Sequence, residues 1–137
     1  MLNHQVRTQH AGLAVHFLEG LPRETVESAI LSCDVFVLTA RAETQPIVLL
    51  EAMSCGKPFL STDTGCVADF QGGIVVKRRT DLARAMQKLA ADPALRERLG
   101  ADGKADVTRH YAADVVDAQW RALLDTLAGE MGQKHVV

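Results

Sequence analysis

The chain has 137 residues, enough for one domain with its own core and too few for two. Apolar residues make up 47% of it and aromatic ones only 4%, which excludes a disordered chain and predicts an aliphatic core. The net charge is −2 and the fifteen basic residues form no long patch, so no nucleic acid partner is expected.

The opening MLNHQVRTQH lacks the apolar stretch of a signal peptide, and no run approaches the roughly 20 apolar residues that cross a bilayer. A cytoplasmic protein is expected. His4, His10 and His16 recur every six residues, but their loop-like setting favours chance over a metal site. Cys33, Cys55 and Cys66 form no CxxC pair and have no histidine at zinc-ligand spacing; they read as buried small apolar residues in a reducing compartment.

Ala14 to Leu18 is a short apolar run closed by Glu19-Gly20, which predicts a buried parallel strand. Pro22 fits the first position of a helix whose Val26, Ala29, Ile30 and Cys33 recur at helical spacing. A strand follows at Val35 to Leu38. The next helix opens at Pro46 and ends near Gly56, because Pro58 cannot continue it. Phe59-Leu60-Ser61 predicts a third strand, and Gly72-Gly73 turns into a fourth at Ile74 to Val76. Thr80 can cap a helix that buries Leu82, Ala85, Met86 and Leu89. Asp92-Pro93 opens another, expected to stop around Gly100 to Gly103, and His110-Tyr111 marks a further helix boundary. A last amphipathic helix uses Val115, Val116, Trp120, Leu123, Leu124 and Leu127, with Trp120 expected in the core, before a frayed tail at Gly129 to Val137. Strands alternating with helices imply an α/β fold, a Rossmann-like parallel sheet flanked by helices.

Chemistry is expected between Asp34 and Gly65. Glu43 falls in the loop after a strand, and Glu51 lies about a turn and a half into the following helix. With Pro46 first in that helix, the amides of Ile47, Val48 and Leu49 lack partners within it and can face an anion such as a diphosphate. A carboxylate would repel that diphosphate, but it accepts two hydrogen bonds from the vicinal diol of a ribose or hexose. Glutamates flanking an anion-binding helix start therefore suggest a nucleotide sugar. By spacing alone, Glu51 also fits a solvated helix residue, and Glu43 an ordinary loop charge favoured near the positive helix end. Their place at a strand-to-helix junction, followed by a second junction at Thr62-Asp63-Thr64-Gly65, favours the site.

The run Glu43-Thr44-Gln45-Pro46-Ile47-Val48-Leu49-Leu50-Glu51-Ala52-Met53-Ser54-Cys55-Gly56-Lys57-Pro58 resembles the signature of the GT-B retaining glycosyltransferases of glycosyltransferase family 4, also called glycosyl transferases group 1. In that family an E-x7-E pair leads into EAM, a small residue and G-x-P. The likeness covers nearly the whole chain and implies one domain over residues 1–137, a C-terminal, donor-binding, Rossmann-like domain of a glycosyltransferase. It implies that Glu51 holds the donor's ribose hydroxyls. Glu43 would then be the catalytic carboxylate near the anomeric centre of the transferred sugar, with Thr44, Gln45, Pro46, Ile47 and Val48 binding sugar and diphosphate. The nucleotide-diphosphate sugar is substrate, with no cofactor and no metal. Asp69 falls where many members carry an acidic residue, and a helix-capping role is expected for it.

The chain departs from the family in two places. Thr44-Gln45-Pro46 stands where many members have Gly-Phe-Gly, which removes an amide and leaves donor identity and phosphate contacts open. The family's donor domain also begins with two further strands and a basic pair gripping the diphosphate, preceded by an acceptor-binding N-terminal domain; this chain matches the later two-thirds of one half. In the family's strand order 3-2-1-4-5-6 the two strands before Leu38 would then lie apart, leaving unpaired edges or forcing direct pairing, and exposed edges predict dimerisation or strand exchange. Lys77-Arg78-Arg79 suit a solvated strand end better than a diphosphate or an anionic membrane surface, so peripheral contact with the inner membrane face is the most they suggest.

The expected function is nucleotide-sugar-dependent retaining transfer to a glycan, lipid-linked or small-molecule acceptor, as in polysaccharide biosynthesis. This chain would be the donor-binding part of the enzyme, incomplete and inactive in isolation. The alternative is a non-catalytic nucleotide-sugar-binding or assembly module that partners a separate acceptor domain. A GT-B epimerase is a third reading, against which the EAM-x-x-G-x-P string speaks.

Overall fold

A computed structural model describes residues 14–133. Helix α1 (Arg23–Ser32) precedes strand β1 (Phe36–Leu38), helix α2 (Ile47–Ser54), strand β2 (Phe59–Thr62), a 3-10 turn (Val67–Asp69) and strand β3 (Gly73–Val76). A second 3-10 turn (Arg79–Asp81) leads into α3 (Leu82–Ala91), α4 (Pro93–His110) and α5 (Ala113–Gln133). The strands form a parallel sheet in the order β1-β2-β3, with Phe36, Phe59 and Gly73 in register. This is the α/β, Rossmann-like arrangement that alternating strands and helices imply.

Every residue of β2 is buried because the strand is central and covered on both faces. Phe59 points to one face, where it packs with Leu49, Met53, Val67 and Phe70; Leu60 points to the other, with Val76, Ala85, Leu89 and Leu95. Side chains such as Leu49, Met53 and Leu89, fully removed from water, each contribute about 1.5–3 kcal/mol of transfer free energy. Leu49, Ala52 and Met53 anchor α2 from below, which fixes the axis of the helix that carries the candidate site.

The structure corrects several sequence expectations. Ala14 to Leu18 forms no strand: Val15, Phe17 and Leu18 are exposed, and among the described residues no strand lies beside them. It does not pair directly with β1, whose outer edge stays open among the described residues. Pro22 and Pro46 each stand one residue before their helix in an extended conformation. Thr80 caps nothing, since it lies within the 3-10 turn that precedes α3. Asp92 does cap: its carboxylate accepts the Leu95 amide at 2.9 Å, with Pro93 first in α4.

Helix α4 runs through Gly100 and Gly103 instead of stopping there. These glycines permit close approach, since a β-carbon at Gly100 would meet the Gly56 carbonyl, and one at Gly103 would crowd Met53 and Gly72 at 3.2–3.3 Å. Their propensity cost of about 1 kcal/mol each is offset by the packing they allow. The boundary at His110-Tyr111 falls where the residues place it. Helix α5 continues through Gly129 to Gln133, and it is not a core helix. Val115 and Val116 are half-buried, whereas Trp120 is 60% exposed and Leu123, Leu124 and Leu127 are exposed with it. The amphipathic pattern is real, but among the described residues nothing covers its apolar face beyond the first turns. The three cysteines are half-buried rather than buried, and all are free thiols.

Candidate donor-binding site

The carboxyl ends of β1 and β2 carry two loops that are bonded together. The Thr62 hydroxyl donates to the Ala40 carbonyl at 2.7 Å, the Glu43 amide donates to the Thr64 hydroxyl oxygen at 3.1 Å, and the Cys66 amide donates to the Thr44 carbonyl at 3.0 Å. Between them Gly65 adopts a left-handed φ of 56°, and a β-carbon there would lie 2.5 Å from the Glu43 carbonyl oxygen. The loop presenting Glu43 is thus held by the turn after β2. The junction at Thr62-Asp63-Thr64-Gly65, expected from the residues, supplies these bonds: the hydroxyls of Thr62 and Thr64 tie it to the loop after β1.

From Thr44 the chain passes through Gln45 and the buried Pro46 into α2. The amides of Ile47 and Val48 have no partner among the described residues, whereas Leu49 donates to the Pro46 carbonyl at 3.0 Å. Only two of the three expected free amides remain, because Pro46 lies outside the helix and its carbonyl closes the first turn. Ile47 is 68% exposed and Val48 is exposed beside it, so the helix start faces open space. Glu43, Thr44 and Gln45 are exposed as well.

Glu51 sits one turn further along, its side chain 23% exposed. It borders a groove of ≈ 410 Å³ whose walls are Val26, Ala29 and Ile30 of α1, Phe36 and Val37 of β1, and Val48 of α2. Glu43 is not among the residues lining this groove, and neither are Thr44 to Ile47. The fold therefore places Glu43 through Val48 along one continuous loop and helix start, with Glu51 and Val48 shared with the groove. A larger depression on the outer face of α4, around Lys104 and Arg109, lies away from the strand ends.

Arg23 was not foreseen. Its guanidinium donates through Nη2 to Glu51 Oε1 at 2.5 Å and through Nε to Glu27 Oε1 at 2.8 Å. Its proton affinity is raised, first by the bond to Glu27 and then by Glu51. Cys33, at the foot of the groove, has its thiol pKa pushed up by burial, with Lys57 acting against the shift. Asp69 caps no helix: it ends the 3-10 turn, and its amide donates to the Cys66 carbonyl at 3.0 Å. Arg78 pairs with Asp81 at 3.1 Å on the exposed surface, as a solvated strand end would. His4 and His10 lie outside the described residues and His16 is exposed. Among the described residues no three metal-ligating side chains converge, and no helix is long and apolar enough to cross a membrane.

Comparison with known proteins gives these features a family. Residues 2–106 match the family described as Glycosyl transferases group 1. A D-inositol 3-phosphate glycosyltransferase of Stackebrandtia nassauensis is 32% identical over 120 residues, covering 80% of this chain and 27% of that protein. The N,N'-diacetylbacillosaminyl-diphospho-undecaprenol alpha-1,3-N-acetylgalactosaminyltransferase of Campylobacter jejuni is 30% identical over 118 residues, covering 82% of this chain and 31% of that one. Sucrose-phosphate synthase from Thermosynechococcus elongatus superposes with a TM-score of 0.80 at 24% identity, over 94% of this chain and 34% of that chain. The chain thus spans about a third or less of each relative's length. On the family match and the shared fold, the chain belongs to the glycosyl transferases group 1 family and is a GT-B domain of it.

Proposed function

We propose that this chain binds the nucleotide-sugar donor of a retaining glycosyltransferase. The observation that carries the reading is the junction after β1, where the free amides of Ile47 and Val48 stand between Glu43 on the loop and Glu51 on the helix. The amides and the positive helix end face the diphosphate, and Glu51 accepts the hydroxyls of the ribose. Glu43 meets the transferred sugar near its anomeric carbon, and the backbone of Thr44 to Val48 contacts sugar and phosphate. Rate enhancement then comes from positioning the donor and stabilising the departing diphosphate.

No metal enters this scheme. We take the acceptor to be a glycan, a lipid-linked acceptor or a small molecule, a breadth supported by one relative being named for D-inositol 3-phosphate and another for a diphospho-undecaprenol. The acceptor is supplied by a separate domain, and the reaction is placed in the cytoplasm or at the inner membrane face.

Calorimetric titration with UDP-, GDP- and ADP-sugars tests the reading. One of them binds, and Glu51→Ala weakens it tenfold or more; a Glu51→Ala protein that binds as well as wild type would overturn the assignment. Binding without turnover, even with an acceptor domain added, would favour a non-catalytic assembly module.

A further inference from the structure

The Arg23 guanidinium stands between two carboxylates on different helices, Glu27 on its own helix and Glu51 across the groove mouth. A glutamate side chain has three rotatable bonds, and holding it ready for a ligand has an entropic cost that is otherwise met at binding. Arg23 engages only Oε1 of Glu51; among the described residues Oε2 has no partner, and Oε1 keeps a second lone pair. The remaining acceptor sites are enough for a diol. Its positive charge also lessens the repulsion that Glu51 would exert on a neighbouring diphosphate.

We propose that Arg23 is a positioning residue for the nucleotide's ribose, holding the Glu51 carboxylate in the orientation that accepts the 2′ and 3′ hydroxyls. This rests on the reading of Glu51 as the ribose-binding group. The planar fork of arginine suits the task, because Nε and Nη2 reach two carboxylates at fixed angles, which an ammonium group does not. The raised proton affinity of Arg23 accords with this bracketing. Arg23 owes its place to Pro22, which ends the preceding segment in an extended conformation and makes Arg23 the first residue of α1.

The test measures 2′-hydroxyl discrimination by calorimetry on the full chain. The probe is whichever of UDP, GDP and ADP binds most tightly, titrated alongside its 2′-deoxy counterpart. Wild type prefers the ribonucleotide about tenfold. Arg23→Ala loses about five- to tenfold for the ribonucleotide and almost nothing for the deoxy form, so the preference collapses, while the urea midpoint stays at the wild-type value. Arg23→Lys recovers part of the loss, and Glu27→Gln, which removes the second anchor, falls between. An Arg23→Ala protein that binds both forms like wild type, or more tightly, while Glu51→Ala remains defective, would overturn the role of Arg23 alone. If no diphosphate binds, or Glu51→Ala keeps the preference, the site reading itself fails and this inference with it.

Discussion

At Gly65 the chain turns left-handed while the carbonyls of Glu43 and Thr44 press on the space a β-carbon would fill. Gly65→Ala therefore meets both a backbone penalty and a clash with main chain that is itself hydrogen-bonded. Urea denaturation is expected to show a loss of roughly 1–3 kcal/mol. Nucleotide binding should weaken with it, because the loop that carries Glu43 must move. Cys33 offers a second test at this scale. Burial raises its thiol pKa, so the folded state holds the proton more tightly than the unfolded state. Its contribution to stability is complete below the thiol's ordinary value of about 8.5 and is lost as pH rises through the raised folded value. Tyr111, raised by burial and then by Asp106, adds a loss of the same sign at higher pH. Denaturant midpoints should accordingly fall on the alkaline side of neutrality, and Cys33→Ser should remove the earlier part of that fall. The placement of Glu43 on the loop after β1 and of Glu51 on α2 could be read from residues alone, because a strand, a loop and a proline-led helix start are all local signals. Arg23 could not, since its bond to Glu51 spans 28 positions and depends on how two helices pack.

Among the elements, α3 and α5 show how far an amphipathic pattern can be trusted. Leu89 of α3 is wholly buried against the sheet, and Leu89→Ala should cost about 2–5 kcal/mol. Trp120 of α5 belongs to an equally regular stripe but is 60% exposed, so Trp120→Ala should change stability by less than about 0.5 kcal/mol. Parallel denaturation curves of the two variants measure this contrast. Asp92→Ala should lose about 1 kcal/mol with the cap of α4. Periodicity locates a helix and its apolar face, but what covers that face is tertiary information. For this reason the stripe locates helix α5 but not the exposure of Trp120. The expected stop at Gly100 failed for a related reason: a glycine that ends a helix and one that admits a neighbouring backbone look alike until the neighbour is known.

At the scale of the whole molecule, the dominant feature is the edge of β1, which stays open among the described residues. Val37 is exposed on that edge, and the groove beside it is walled by apolar residues of α1 and α2. Unpaired strand edges with apolar flanks attract another strand. Sedimentation at rising concentration should show self-association of the isolated chain, reduced by Val37→Lys; a strictly monomeric profile at high concentration would argue against it. The parallel sheet, its strand sequence from Phe36 to Val76 and the family could all be read from the residues, because Gly and Pro punctuate each segment and the Glu43 to Pro58 string is long. That the Ala14 to Leu18 run forms no strand among the described residues could not be read, since an apolar run shows only its fitness for a sheet and not whether a neighbour is present.

The seating of α4 on Gly56 and Gly72 has its own consequence. Those glycines precede β2 and β3, so the long helix secures the strands from their amino ends while the loops of the candidate site emerge at the opposite pole. Side-chain diversity at the exposed positions 44 and 45 is thereby insulated from the contacts that keep the scaffold upright, and a combinatorial library confined to them should yield folded proteins far more often than one touching residues 56, 72, 100 or 103.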